Sequence, residues 1–292
     1  MDTIDLLRES RYLTRPEGRI AYAVAGDGPL VVLVPGMGDL RSTWRELVGP
    51  LNGAGYRVAA LDLRGHGGSD TTFTEHGDVV TAQDLLALIE HLGGPAVVIG
   101  NSMGTSAAAW AASERPELVS GLVLVSPMLR EPGASSRLRP LIHLLYRVLF
   151  ARPWGVAVWA TYYRTVLNKG AKAPWLDEHV RALRASMRRP GGLRSFRELT
   201  LALDHSVAEV RLGEVHAPAL VVVGALDPDY PDPAAELDWT TTALDAQGVL
   251  LPGVAHYAQH QAPEVTVPAT LTFLAGLPRT ETSWVAPAPH GA

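Results

Sequence analysis

Short, β-branched apolar runs recur along the chain and alternate with longer stretches whose apolar residues return at helical spacing. The runs at 30–34, 58–61, 96–99, 119–125, 219–223 and 249–251 read as strands. Most are apolar at successive rather than alternate positions, the pattern of strands covered on both faces of a parallel sheet. The segment 18–24, ahead of them, reads as an antiparallel edge strand. Helices are predicted over 42–53, 78–93, 103–115, 233–244 and 262–276. Strand and helix alternating in this way predict βα units, and hence an α/β architecture on a mainly parallel sheet. No internal repeat is visible.

The rhythm breaks after Ser126-Pro127. Up to the next strand signal at Ala217-Pro218 the pattern is helical, with apolar clusters at Leu141-Ile142, at Leu144-Leu145-Tyr146 and from Trp154 to Tyr163. Pro140, Pro153, Pro174 and Pro190 mark helix starts or breaks. A helical block between two strands of a parallel sheet, on the side where the strand-following loops meet, is placed to act as a lid. The expected organisation is a core over 1–127, a helical cap over 128–212, the rest of the core over 213–278 and a poorly ordered Pro-rich tail over 279–292. Leu144, Leu145, Val148, Trp154, Trp159, Tyr162 and Tyr163 are expected mainly in the cap's own core, with one or two touching substrate.

Composition narrows the class. With 292 residues, 47% hydrophobic and 19% charged, the chain can bury a large core. No uninterrupted apolar run approaches the ~18 residues that span a bilayer. The acidic start Met1-Asp2-Thr3-Ile4-Asp5 does not read as a secretory signal, so a cytoplasmic protein is expected. The absence of cysteine excludes disulfides, thiolate metal sites and cysteine nucleophiles. The net charge of −5 hides a division: residues 130–211 hold 13 Arg and 2 Lys against 6 acidic residues, or +9, leaving 10 basic and 24 acidic residues elsewhere, or −14. Solvated arginine-rich helix faces account for this. Attraction of an anionic substrate, a carrier-protein surface or a membrane surface is the functional alternative. No nucleic-acid recognition motif is present, and no such partner is expected.

The chemistry concentrates at Gly100-Asn101-Ser102-Met103-Gly104, directly behind one predicted strand and ahead of the alanine-rich start of a helix. It reads as a serine on a strand-to-helix turn. A serine held there at positive φ needs small residues on both sides, because a flanking Cβ would strike the adjoining strand or helix.

Three further motifs stand in order around it: Pro35-Gly36-Met37-Gly38 after a strand, the segment Asp62-Leu63-Arg64-Gly65-His66-Gly67-Gly68-Ser69, and a late acid and histidine. With these four the chain resembles the α/β-hydrolase fold family over nearly its whole length. The resemblance implies a central, mostly parallel sheet of about eight strands flanked by helices, with an inserted helical cap after the sixth strand. It places the catalytic histidine in the loop after the last strand, where His256 stands, with His260 as competitor. It places the acid after the strand ending at Val223, at Asp227, with Asp229 and Glu131 as alternatives. His66 is assigned a structural hydrogen-bonding role. Backbone N–H groups of Met37 and Met103 would form the oxyanion hole. Two positions depart from the family pattern. Pro35 stands where many relatives have histidine and cannot supply that side chain's hydrogen bond, and Thr105 stands where a glycine often packs helix against strand.

The glycine turn at 36–38 lacks the lysine of a P-loop and the third glycine of a dinucleotide fingerprint, and no histidine spacing matches a metal motif. No cofactor and no metal are expected; the partner is a small-molecule substrate, apolar or anionic, and no oligomeric state is implied. The expected activity is serine hydrolysis of a carboxylic ester, thioester or lactone. Gly100-Asn101-Ser102-Met103 and His256-Tyr257-Ala258-Gln259 are also similar to segments of hydrolases that cleave carbon–carbon bonds in ring-fission products. Those carry a tryptophan after the histidine, where this chain has Tyr257, and a carboxylate-binding arginine in the cap. A ligand-binding protein with little turnover is the alternative of another class. Ser102, in place of aspartate, speaks against dehalogenase and epoxide hydrolase chemistry.

Overall fold

The computed structural model describes residues 9–131 and 135–278 together with Leu7. Its sheet has eight strands: β1 (Arg11–Arg15), β2 (Gly18–Ala25), β3 (Leu30–Val34), β4 (Arg57–Leu61), β5 (Ala96–Asn101), β6 (Val119–Val125), β7 (Ala219–Gly224) and β8 (Gln247–Leu251). Their order is β1-β2-β4-β3-β5-β6-β7-β8. Every pair from β4 onward in that order is parallel, whereas β2 runs antiparallel to β1 and β4. The predicted strand at 18–24 is therefore antiparallel but not the edge. Arg11 pairs with Tyr22 and Arg15 with Gly18, so β1 covers it. Only Leu13 of Arg-Tyr-Leu-Thr-Arg is buried, and a polar edge strand of this kind leaves no hydrophobic run to read.

The helices between the strands are α1 (Arg45–Gly53), α2 (Asp78–His91) and α3 (Met103–Glu114), and, after β7, α9 (Pro233–Leu244), α10 (Ala258–Gln261) and α11 (Pro263–Gly276). Between β6 and β7 lie α4 (Ser135–Leu149), α5 (Gly155–Tyr162), α6 (Leu176–Arg188), α7 (Gly192–Ala202) and the short α8 (Ser206–Glu209). Strand periodicity splits the core into two layers. Leu30, Val32 and Val34 pack with α2 and α3 on one face, while Val31 and Leu33 pack with Trp44, Leu47 and Phe273 on the other. The alanines of α3 are nearly all buried, which lets that helix lie close to the sheet.

The helical insertion builds a third core from Phe150, Trp159, Tyr163, Leu183 and Phe196. Leu40 and Tyr257, from loops at the C-terminal ends of strands, complete it. The insertion therefore packs directly on the loops that carry the predicted site. Of the seven cap residues singled out, Trp159 and Tyr163 are in this core, but Leu144, Leu145, Val148 and Trp154 are about half exposed, at 58%, 51%, 53% and 48%. Their helical spacing is real; the face they form meets solvent rather than protein. The predicted tail over 279–292 lies outside the described residues.

Candidate active site

Ser102 is the single residue between the end of β5 and the start of α3, at φ 55° and ψ −128°. Such a conformation costs a non-glycine residue about 1–3 kcal/mol, so its surroundings must hold it. Ser102 N donates to Val125 O at 3.0 Å. Thr105 Oγ1 donates to Ser102 O at 2.6 Å and accepts from Met128 N at 2.9 Å. Thr105 is thus a clasp between the turn and the loop after β6, a role beyond the packing expected of it.

His256 is 2% exposed in the loop after β8, and its Nδ1 lies 3.0 and 3.1 Å from the two carboxylate oxygens of Asp227. With Nδ1 engaged, Nε2 is the ring nitrogen left for the cavity that His256 and Ser102 both line. Its backbone is pinned twice: His256 N donates to Leu167 O at 3.1 Å, and its carbonyl accepts from Asn101 Nδ2 at 3.1 Å. Asn101, beside Ser102, therefore ties the histidine loop to the turn. The acid and histidine loops meet because residue 224 has no side chain; a Cβ there would lie 2.0 Å from Ala255 O.

Asp229, the alternative acid, does not replace Asp227 but joins it, with Oδ2 at 3.3 Å from the same His256 Nδ1. Burial alone would push His256 down, but the charges of Asp227 and then Asp229 override it and push the imidazole up to about 9. Burial pushes the Asp227 carboxyl up too, yet the His256 charge and hydrogen bond hold it below the usual range. Asp229 is raised, first by burial and then by the charge of Asp227. The donor atoms of Asp227, Asp229 and His256 lie within 4.8 Å of one another.

The competitors make other contacts. His260 is buried with Nε2 at 2.8 Å from Asn168 Oδ1, and burial lowers it to about 3. Glu131 Oε1 accepts from His205 N at 3.0 Å. His66 Nδ1 lies 2.8 Å from Arg64 O, a structural contact of the kind expected.

The turn at 36–38 presses against the serine: a Cβ on Gly36 would sit 2.9 Å from Ser102 Cβ. Met37 and Met103 line the cavity beside Ser102. Besides its own hydrogen bond from Asp39 N to Gly36 O at 3.2 Å, the turn receives support from the helical insertion. Trp159 Nε1 donates to Gly38 O at 2.9 Å. Asp39, fully buried, accepts from His179 Nε2 at 2.6 Å and from Tyr163 Oη at 3.3 Å. Ser42 Oγ lies 3.1 Å from His179 Nδ1, completing a second Ser-His-Asp chain whose serine does not line the cavity. Only the fold brings His179 to Asp39, 140 residues away, and nothing in the sequence marks the pair.

The cavity measures about 490 Å³. The insertion contributes Tyr146, Phe150, Trp159 and Tyr162 to its wall, so two of the seven cap residues reach it, Trp159 and Tyr162. His205 and Asp229 supply polar wall, and Tyr257 follows His256. His205 Nδ1 lies 2.9 Å from the buried Asp78, a second His–Asp pair on the cavity that the sequence did not suggest.

This arrangement of sheet, turn and loops is shared with known proteins. The sequence model of the alpha/beta hydrolase family matches residues 31–269. The chain belongs to the alpha/beta hydrolase family. It is 32% identical over 273 residues to a 2-hydroxy-6-oxononadienedioate/2-hydroxy-6-oxononatrienedioate hydrolase of Comamonas testosteroni, covering 88% of this chain and 91% of that one. It is 30% identical, with the same coverage of each, to a 2-hydroxy-6-oxo-6-phenylhexa-2,4-dienoate hydrolase of Burkholderia cepacia. Among solved structures, an epoxide hydrolase of Vigna radiata superposes with a TM-score of 0.73 at 21% identity, covering 93% of this chain and 99% of that one, a likeness of fold. The eight-stranded, mostly parallel sheet flanked by helices agrees with the fold expected from sequence. Among the described residues, no helix of this hydrolase is long and apolar enough to cross a membrane.

Proposed function

We propose that the chain is a serine hydrolase that cleaves an uncharged carboxylic ester, thioester or lactone through an acyl-enzyme on Ser102, with the helical segment 128–212 as cap over the two parts of the core, 1–127 and 213–278. The observation that carries this reading is the convergence on one cavity of Ser102, at positive φ, and His256, whose Nδ1 is held by Asp227 at 3.0 Å. In the first step His256 Nε2, in its neutral form, takes the Ser102 proton as Oγ attacks the acyl carbon. The N–H groups of Met37 and Met103 receive the developing oxyanion, a contribution typically worth about 3–4 kcal/mol per donor. His256 returns the proton to the leaving oxygen or sulfur, and the C–O or C–S bond breaks. Water, deprotonated by the same nitrogen, then releases the acid and restores Ser102. Asp227 orients the imidazole and stabilises its protonated form.

A second reading, hydrolysis of a carbon–carbon bond next to a ketone, is favoured by the relatives' names. Those names specify substrates with one or two carboxylates. Asp229 lines this cavity, whereas no lysine or arginine does among the described residues, and Tyr257 stands where the ring-fission hydrolases carry tryptophan. These features favour an uncharged acyl group. The test is fluorophosphonate labelling of the native protein against Ser102→Ala and His256→Ala, followed by turnover of p-nitrophenyl esters of increasing length beside 2-hydroxy-6-oxo-6-phenylhexa-2,4-dienoate. Labelling lost in both variants, with ester turnover exceeding dienoate turnover, is expected. Faster dienoate turnover selects the second reading, and a folded protein that takes no label rejects both.

A further inference from the structure

The outer face of α4 has no partner among the described residues. Leu141, Leu144, Leu145 and Val148 stand at i, i+3, i+4 and i+7 and so share one stripe of the helix; Trp154 follows at the next helix start. Leu141 is 64% exposed, and these five account for half of the ten large apolar side chains that the described residues expose. The inner face of the same helix is apolar too, because Ile142, Tyr146 and Leu149 line the cavity. A helix needs only one apolar face to pack on its own protein, so the second face is surplus to folding.

Its charged neighbours indicate what covers it. Arg147 and Arg152 are exposed beside the stripe and pair with no described acid. They belong to the segment 130–211 with its +9 balance, against −14 for the rest of the chain. An apolar stripe with a tryptophan at one end and arginines at its flank, on the cationic part of an otherwise anionic molecule, matches the surface of an anionic phospholipid bilayer. A second copy would set two like-charged segments against each other.

We propose that the outer face of α4, with Trp154, Arg147 and Arg152, docks this protein on anionic phospholipid membranes. The helix then lies in the bilayer interface with its stripe among the outer acyl carbons and its inner face still on the cavity. The docking itself does not depend on the hydrolase reading. Only its consequence does, that apolar esters dissolved in the bilayer have a short path to Ser102.

The experiment is flotation of the full chain with vesicles of phosphatidylcholine alone or with about one third phosphatidylglycerol, at low and high salt. Binding to the anionic vesicles is expected, weakened at high salt and reduced about tenfold or more in Leu144→Glu/Leu145→Glu. Arg147→Glu/Arg152→Glu should lower binding to anionic vesicles while leaving thermal stability unchanged. Leu144→Gln/Val148→Gln gives a milder second variant should the first not fold. Folded native protein that floats with neither vesicle, or binding that the leucine variants leave intact, overturns the proposal. So does a dimer in light scattering that the same variants split while vesicles go unbound, since a second copy then covers the face.

Discussion

Asp229→Asn tests whether the second carboxylate at His256 governs the pH at which the site works. In the native protein His256 is held up to about 9, which leaves only about one molecule in a hundred with a neutral imidazole at pH 7. A general base must be neutral, so kcat/KM is expected to climb about tenfold per pH unit from 6 to 8 and to level near 9. The rise of the imidazole from 6.5 to about 9 corresponds to about 3 kcal/mol. Asp227 supplies the larger part, from 3.0 Å and with a hydrogen bond, while Asp229 Oδ2 acts from 3.3 Å with 26% of its side chain exposed. Taking about a third of the effect for Asp229, its removal lowers the midpoint by about one unit and raises kcat/KM at pH 7 several-fold to tenfold.

The assay is a profile of p-nitrophenyl ester hydrolysis from pH 5.5 to 10 at fixed ionic strength, read at the isosbestic wavelength of the product. Thermal unfolding supplies an independent check. Because the folded imidazole titrates above its unfolded value, its stabilising contribution is fully present below about 6.5 and is lost as pH rises through about 9. The native melting temperature should fall across that window, and in Asp229→Asn the fall should begin at the same pH but end earlier and be smaller. A native midpoint near 6.5, or one that Asp229→Asn leaves unmoved, would refute the reasoning. So would a variant slower at every pH, which would make Asp229 an orienting group like Asp227.

Trp159→Phe keeps a ring on Gly38 but removes the donor to its carbonyl, and steady-state kinetics should show kcat falling about three- to tenfold with little change in KM, the mark of a loosened oxyanion turn. His179→Ala removes one donor from the fully buried Asp39 carboxylate, which keeps Leu40 N and Tyr163 Oη, and should cost about 1–3 kcal/mol in urea unfolding. Gly224→Ala puts a methyl group 2.0 Å from Ala255 O, so kcat should drop about a hundredfold or more while circular dichroism shows the fold retained. Thr105→Val leaves Met128 N without its acceptor and removes the hydroxyl donor to Ser102 O, which keeps the Thr105 N–H, and a loss of about 1–3 kcal/mol of stability is expected by denaturant titration.

Local signals carried much of this structure. The strands from β3 to β7 are legible because burial on both faces demands unbroken apolar runs, whereas β8 buries only Leu251, and the candidates Ser102, Asp227 and His256 are marked by following predicted strands by a short loop. What escaped reading depends on distance or on surface. β1 hides because a charged edge strand has no apolar run. The pairs His179–Asp39 and His205–Asp78 join residues 140 and 127 positions apart, and no local pattern encodes such a contact. The stripe on α4 was legible as a stripe, but periodicity states which residues share a face and not what that face meets.

Pro35 connects these observations. A proline there removes the side chain that usually steadies the turn before Met37, so the turn needs support from elsewhere. The support comes through Trp159, Tyr163 and His179, all from the insertion, and the first two belong to the same aromatic core that walls the cavity. Displacing α5 or α6 therefore cannot leave the turn untouched, because Gly38 O would lose Trp159 Nε1 in the one case and the Asp39 carboxylate would lose His179 Nε2 in the other. A hydrolase built this way couples the turn that carries Met37, the proposed oxyanion donor, to the seating of its helical insertion. If α4 docks on a membrane, the helix that follows it in the chain, α5, carries the Trp159 that holds Gly38 O.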